Sequence, residues 1–105
     1  MTLAINHDLK FKKFYANIDG KQCWLKYSIK NGIFMELEVL FIPISLRGVG
    51  LAKKMIEQAI SYAEKNFLKI IPQCSYIRSF FEVNFQYNHL MHVSNFDFHA
   101  RLNYN

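Results

Sequence analysis

Polar and hydrophobic residues alternate along residues 21–30, and this alternation predicts a β-strand with one buried face. The inward positions of this strand are Cys23, Leu25, Tyr27 and Ile29. Asp19-Gly20 precedes the strand and Asn31-Gly32 follows it, and both pairs favour the positive φ angles of tight hairpin turns. We therefore expect an antiparallel strand on each side of residues 21–30.

The two flanking strands are less regular. Residues 11–18 are rich in aromatic side chains and form the first predicted strand, after a lead-in over residues 1–10. The third predicted strand begins with the inward residues Ile33, Met35, Leu37 and Val39. It is apolar on both faces over residues 39–42, which is typical of a central strand covered on both sides. Pro43 ends this strand, because proline cannot donate to a strand ladder.

The second half of the chain predicts a long helix, a strand and a short helix. Apolar residues recur at helical spacing up to about Asn66, with charged residues opposite them, so this helix is amphipathic. Its apolar positions are Leu51, Ala52, Met55, Ile56, Ala59, Ile60 and Ala63. Residues 67–74 predict a short buried strand. Residues 75–85 predict the second helix, with Ser75 as its N-cap.

This order of elements predicts an α+β fold. Antiparallel hairpins and one β-loop-α-β crossover share a mixed sheet, and the helices pack against it. The crossover is right-handed and makes the strands over residues 33–42 and 67–74 parallel. We expect a single domain over residues 1–105, with its core in about residues 11–91 and a tail over residues 92–105.

The composition is that of a globular, basic protein. Hydrophobic residues make up 51% of the 105 residues, and the net charge is +5. This charge favours an anionic partner such as nucleic acid, a membrane surface or a phosphorylated cofactor, without choosing between them. The chain start has no signal-peptide pattern, and no apolar run is long enough for a membrane span. We therefore expect a cytoplasmic protein without a membrane partner, with Cys23 and Cys74 as free thiols.

A glycine-containing loop stands between the third strand and the long helix. The first N–H groups of a helix lack intrahelical partners, and the helix dipole makes that end electropositive. Gly48 and Gly50 remove side chains that would block a phosphate, and Lys53 and Lys54 add positive charge in the first turn. The loop lacks the GxxxxGK pattern and the third glycine of the dinucleotide-binding pattern. It therefore predicts a phosphate site of another kind.

Residues 47–52, RGVGLA, resemble the Arg-x-x-Gly-x-Ala pyrophosphate loop of the GCN5-related N-acetyltransferases (GNATs), which bind acetyl-CoA. The resemblance is stronger to the very short members of that family, which carry a second motif further along the chain. The matching residues are Pro43, Leu46, Arg47, Gly48, Gly50 and Ala52, then Pro72, Cys74, Tyr76, Phe81, Glu82 and Tyr87. With Asp19-Gly20 and Tyr27 in the N-terminal hairpin, the resemblance covers roughly residues 11–91.

The resemblance implies acetyl-CoA as the cofactor and an amine as the acetyl acceptor. Backbone N–H groups from Arg47 to Ala52 would hold the pyrophosphate, and the pantetheine arm would run between two parallel strands that splay apart. The implied cofactor-binding residues are Phe41, Ile42, Arg47, Gly48, Val49, Gly50, Leu51, Ala52 and Lys53. A strand N–H near residues 40–42 would polarise the thioester carbonyl.

Cys74 and Tyr76 are the candidate catalytic residues. Cys74 ends the strand where the acetyl group should arrive, so its thiol either accepts or assists the acetyl group, or is a small residue that closes the core. Taken together, the residue type and the motif favour neither the catalytic role nor the structural role of Cys74. Tyr76 either forms a hydrogen bond in the cleft or caps a core edge. Phe81 stands where many relatives carry a proton-donating tyrosine.

One departure from the short members opens a second function class. They commonly read His-Thr-Glu where this chain has Val39, Leu40 and Phe41. If that histidine or glutamate serves as the base, this chain lacks it. The alternative is a module that binds CoA or acetyl-CoA with little or no transfer. The sequence does not identify the acceptor, and it leaves open a homodimer that completes the site.

The remaining motifs favour structural roles. His89, His92 and His99 have no cysteine or acidic partner at ligand spacing, so we expect surface histidines and no metal. The spacing of Phe80, Phe81 and Phe85 predicts core positions on a helix.

A nucleic-acid-binding sheet is the weakest function that the sequence suggests. Trp24, Lys26 and Lys30 share one strand face, but no RNP-type aromatic motif or basic cluster accompanies them. We therefore expect a solvated face, and we do not expect nucleic acid as a partner.

Overall fold

A computed structural model describes residues 4–92 of the chain as a five-stranded mixed sheet with helices packed on it. The strands are β1 (Asn6–Asp8), β2 (Lys13–Ile18), β3 (Lys21–Lys30), β4 (Phe34–Phe41) and β5 (Lys69–Pro72), and they lie in this order. The helices are α1 (Leu51–Lys65) and α2 (Ser75–Val83), with 3₁₀ segments at Ile44–Leu46 and Phe85–Leu90. The pairs from β1 to β4 are antiparallel, and β4 and β5 are parallel. The predicted α+β fold is confirmed.

The N-terminal strand β1 lies at the edge of the sheet and was not predicted. Asn6 pairs with Tyr15, and the His7 ring stacks on Phe14 with 4.1 Å between ring centroids. The assignment of residues 1–10 to a lead-in is wrong over this strand. A strand of three residues is too short to show an alternation in its own sequence, so only its pairing with β2 reveals it.

A β-bulge at Glu38 reverses which side chains of β4 face the core. Tyr27 pairs with Leu37 but Lys26 pairs with Val39, so Glu38 is the extra residue in β4. One inserted residue moves every later side chain to the other face of the sheet. Val39, predicted to face inward, is therefore 48% exposed, and the alternate residue Leu40 packs against the core.

The end of β4 is also open, contrary to the prediction that both faces of residues 39–42 are covered. Phe41 is 40% exposed. Ile33 is exposed at the other end of the strand, since it belongs to the hairpin loop and not to β4.

The parallel pair of β4 and β5 is short. Its register runs from Phe34 opposite Lys69 to Leu37 opposite Pro72. The Gln73 N–H donates to the Leu37 carbonyl at 2.9 Å and closes the ladder. Beyond this bond β4 continues to Phe41, whereas the segment after β5 turns into α2, so the two strands part.

One hydrophobic core lies between the sheet and the two helices. Helix α1 buries Met55, Ile56, Ala59, Ile60 and Ala63, and α2 buries Ile77 and Phe81 in the same core. The sheet contributes Phe14 and Ala16 from β2, Cys23, Leu25 and Tyr27 from β3, Met35 and Leu37 from β4, and Ile70 from β5. The alternate residues of β2, β3 and β4 point away from the helices and none of them is buried; we call this side the open face.

Three local predictions near the second crossover strand are corrected. Phe67 is 91% exposed with φ of 56°, so it is a turn residue, and β5 starts at Lys69. The N-cap of α2 is Cys74, with Ser75 as the first helical residue. Phe85 is exposed because α2 ends at Val83, which removes Phe85 from the helical face that packs on the core. In the described part of the chain, no helix is long and apolar enough to cross a membrane.

Candidate functional site

The loop between β4 and α1 is built from short hydrogen-bonded turns. Pro43 starts the 3₁₀ segment Ile44–Leu46, and the Leu46 N–H donates to the Pro43 carbonyl at 2.9 Å. Arg47 follows, and its Nε donates to the carbonyl oxygen of Ile42 at 2.9 Å. This bond attaches the loop to the end of β4, so the position of the loop follows from the position of the strand.

The N-terminus of α1 presents unpaired N–H groups to open space. Its N-cap, Gly50, has φ of 85° and no capping side chain, and Gly48 has φ of 83°. A Cβ at either glycine would meet no atom within 4 Å. The first helical hydrogen bond runs from the Lys54 N–H to the Gly50 carbonyl at 3.2 Å. The preceding N–H groups, of Leu51, Ala52 and Lys53, are those that a helix leaves unpaired.

Charge at this helix end also suits an anion. The first turn of α1 contains no acidic residue and carries Lys53 and Lys54. Positive side chains reinforce the positive end of the dipole of this 15-residue helix. Glycine backbone, unpaired donors and cations are the features that suit a phosphate group at a helix N-terminus.

A cavity of about 460 Å³ extends from this helix end to the end of β4 and the first turn of α2. It is lined by Leu40, Ile42, Leu46, Arg47, Gly48, Gly50, Leu51, Ala52, Lys53 and Tyr76. Its walls combine aliphatic side chains near β4 with backbone and cations at the loop. Such a cavity suits a ligand that has an apolar arm and an anionic group.

The cavity brings together most of the residues singled out from the sequence. Seven of the nine predicted cofactor residues line it, namely Ile42, Arg47, Gly48, Gly50, Leu51, Ala52 and Lys53. The other two do not: Phe41 packs its ring on Trp24 on the open face, and Val49 is exposed between the glycines. Leu40 was predicted only through its backbone, and its side chain reaches the cavity because of the bulge at Glu38.

The two catalytic candidates lie at the start of α2 but differ in surroundings. Tyr76 lines the cavity and is 55% exposed. Cys74 is the N-cap of α2, is half-buried against the core and is not among the lining residues. Its carbonyl accepts the Arg78 N–H at 2.9 Å. Tyr76 is thus directly at the site, whereas Cys74 marks the point where β4 and β5 part.

Perturbed pKa values in the described residues lie away from the cavity. Burial lowers the pKa of His7, against an opposite effect of Asp8. Burial also raises the pKa of Tyr27 to about 12, with contributions from Tyr62 and Asp8. His7 Nε2 and the Tyr27 hydroxyl are hydrogen-bonded at 2.6 Å. This cluster belongs to the packing of β1 on α1 and not to the site.

The histidines near the C-terminus have local partners. His89 is exposed and lies 3.5 Å from the Glu64 carboxylate, and His92 packs on the Phe34 ring with 4.4 Å between centroids. His99 lies outside the described residues. Within residues 4–92 no three histidine, cysteine or acidic side chains are grouped so that they could hold a metal ion.

Comparison with known proteins agrees with this geometry. A protein-family model described as GCN5-related N-acetyl-transferase matches residues 13–90, which include the loop and both candidate catalytic residues. The chain belongs to this family. The GNAT resemblance read from the RGVGLA loop and the second motif is thereby confirmed, and the protein is a GNAT-type N-acetyltransferase domain.

The GNAT fold is also that of a solved relative. The NMR solution structure of a GCN5-like protein from Staphylococcus aureus superposes with a TM-score of 0.71 at 24% sequence identity. The match covers 86% of this chain and 88% of the other. The two proteins therefore share their architecture over nearly their whole lengths.

Proposed function

We propose that this GNAT domain binds acetyl-CoA in the cavity between β4 and α1 and transfers the acetyl group to an amine. The observation that carries the proposal is the continuity of the cavity. It joins the start of α1, with its unpaired N–H groups, to Leu40 near the end of β4 and to Tyr76 in the first turn of α2.

The residues present fit this cofactor. The pyrophosphate would be held by the N–H groups from Gly48 to Lys53, in space that the two glycines leave free. The side chains of Leu40, Ile42 and Leu51 would contact the apolar part of the pantetheine arm. Val49 and Phe41 would contribute through their backbone atoms, since their side chains do not line the cavity.

Bound acetyl-CoA supplies an acyl thioester that an amine can attack. The chain's own contribution is to orient the thioester and to polarise its carbonyl group. We place backbone N–H groups of residues 40–42 as donors to the carbonyl oxygen, whose developing negative charge such donors stabilise. We place the Tyr76 hydroxyl as the proton donor to the departing sulfur, because it is the phenol that lines the cavity.

Cys74 remains a proposed acetyl-accepting thiol. It stands at the N-terminus of α2, next to the point where β4 and β5 part. In this route the Cys74 sulfur forms a bond to the acetyl carbon while the bond from that carbon to the CoA sulfur breaks, and the proton of the Cys74 thiol ends on the departing CoA sulfur. The acetyl group then passes to the amine and the thiol is restored. The competing route is direct attack by the amine.

A second function, CoA binding without transfer, is favoured by one feature of the cavity. In the described part of the chain, none of its lining residues carries a carboxylate or an imidazole, so none of these side chains offers the ligand such a base. Val39, Leu40 and Phe41 occupy the positions of the His-Thr-Glu of the short members. An amine that arrives already deprotonated needs no such base. Transfer to an amine of this kind would therefore distinguish the first function from the second.

Calorimetry with CoA tests the binding site. Gly50→Glu puts a side chain and a negative charge into the phosphate space and should abolish binding. Gly32→Glu is the matched control, because Gly32 also has positive φ and open space around it but lies in the distant hairpin. Equal CoA affinity of Gly50→Glu and wild type would contradict the site. Thiol release with a panel of amines then separates transfer from binding alone.

A further inference from the structure

Three aromatic side chains form a row across the open face of the sheet. Tyr15 on β2 pairs with Trp24 on β3, and Trp24 pairs with Phe41 on β4. Directly opposed residues of antiparallel strands project to the same face. The Trp24 and Phe41 rings lie 4.5 Å apart at their centroids. Since neighbouring strands are separated by about 4.8 Å, this aromatic row is about 10 Å wide.

A pair of lysines lies beside the aromatic row. Lys13 and Lys26 oppose each other two residues along the strands, as the next pair on the open face, and Val39 pairs with Lys26 on β4. The Lys13 ammonium lies 5.4 Å from the centroid of the Tyr15 ring and donates to Gln22 Oε1 at 3.1 Å.

This lysine pair lacks a counter-charge. Directly opposed like charges destabilise a sheet. In the described part of the chain neither ammonium forms an ion pair with a carboxylate. An anion bound beside Lys13 and Lys26 would supply the counter-charge that no carboxylate provides there in the described residues, so this part of the face is suited to an anionic group.

Carboxylates limit the cationic region on one side. Glu38 is the bulge residue itself and Glu36 precedes it on β4; the Ser28 hydroxyl donates to Glu38 Oε2 at 2.9 Å. These acidic groups repel phosphate. An anionic ligand on the open face is therefore directed towards the aromatic row and the lysine pair.

We propose that this part of the open face binds single-stranded nucleic acid, with bases stacked on the aromatic row and phosphates at the lysine pair. Accessible rings beside cations are the two components of sequence-tolerant single-strand binding; Phe41 is exposed, and Tyr15 and Trp24 are partly buried. A duplex does not fit, because its bases are already stacked on each other. A second copy of this chain would bring another lysine pair to the same face, so charge opposes self-association there. This proposal departs from the expectation of a merely solvated face.

The test is fluorescence anisotropy of labelled oligo-uridine and oligo-deoxythymidine of about 12 nucleotides, a length within the usual range for such sites. The titration is run without CoA at 50 and 200 mM salt, so its outcome is independent of acetyl transfer. We expect affinity that falls with salt, as phosphate contacts require. Trp24 is the single tryptophan of the chain, so base stacking should also quench the intrinsic fluorescence.

Matched variants locate the site. Lys26→Glu should weaken binding at least about tenfold and reduce the salt slope by about one unit. Lys65→Glu makes the same charge change at the distant end of α1 and should leave binding within about twofold of wild type. Tyr15→Ser should also weaken binding. Circular dichroism verifies that each variant retains the fold.

Several results would overturn the proposal. They are the absence of oligonucleotide binding at 50 mM salt, binding that leaves the Trp24 fluorescence unquenched, an affinity for duplex equal to that for the single strand, or competition by poly-glutamate as strong as that by unlabelled single strand. Equal weakening by Lys65→Glu and Lys26→Glu would show a general charge effect. Self-association in sedimentation experiments that buries Trp24 would assign the face to a second copy of the chain.

Discussion

Arg47 Nε donates to the carbonyl oxygen of Ile42 at 2.9 Å, across the loop that joins β4 to α1. The bond connects the loop residue Arg47 to Ile42, the buried residue that directly follows β4. It uses one donor of the guanidinium and leaves the others for a ligand. Arg47 therefore attaches the loop to the end of β4 and adds positive charge at the proposed phosphate site.

Replacement of Arg47 separates these two contributions. Arg47→Ala removes the bond and the charge, and we expect CoA affinity to fall by about 10- to 100-fold, since hydrogen bonds to charged groups contribute about 1.5–3 kcal/mol. Arg47→Lys keeps the charge without the Nε donor and should give an intermediate loss. Calorimetry measures both, with Lys65→Ala as the control because Lys65 is exposed at the opposite end of α1 and does not line the cavity. Unchanged affinity of Arg47→Ala would show that the loop holds its position without this side chain.

Tyr76→Phe tests the proposed proton donor. The change removes only the hydroxyl, so CoA affinity should stay within about twofold. Loss of a general acid typically costs about 10²- to 10⁴-fold in rate, and we expect the lower end of that range because the phenol is largely exposed. Tyr87→Phe is the matched control, since Tyr87 stacks on Phe80 and does not line the cavity. Equal transfer rates of Tyr76→Phe and wild type would remove Tyr76 from the mechanism.

Cys74 can be tested by intact-protein mass spectrometry after incubation with acetyl-CoA. We expect an acetyl adduct in the wild type that hydroxylamine removes, and none in Cys74→Ala. CoA affinity should be nearly unchanged, because Cys74 does not line the cavity. Cys23 should not react, since it is fully buried and burial raises the pKa of its thiol. Full transfer activity in Cys74→Ala would establish direct attack by the amine.

His7 makes stability depend on pH. Burial lowers the pKa of His7 below its usual 6.5. As the pH falls below 6.5, His7 is therefore protonated in the unfolded chain before it is protonated in the folded chain. The free energy of unfolding should therefore decrease as the pH falls from 6.5 towards the lowered pKa. Urea unfolding at several pH values measures this slope. His7→Gln should flatten it, whereas His89→Gln should retain it; the same slope in His7→Gln would place the effect elsewhere.

Much of the fold is determined by local sequence. The alternation over residues 21–30, the turns at Asp19-Gly20 and Asn31-Gly32 and the apolar stripe of α1 each lie within a few residues. Their periods differ because side chains repeat every two residues in a strand and every 3.6 in a helix. The glycine loop was likewise readable, since its φ requirements and its place before a helix are local properties.

Tertiary structure alone decided which residues meet. The bulge at Glu38 turned Val39 outward and Leu40 towards the cavity, and nothing in the local pattern marks the extra residue. The aromatic row unites Tyr15, Trp24 and Phe41 from three strands. The parting of β4 and β5, which opens the cavity, likewise depends on where their pairing stops. Strand register is set by the summed pairing and burial of distant segments, so a pattern within one segment cannot encode it.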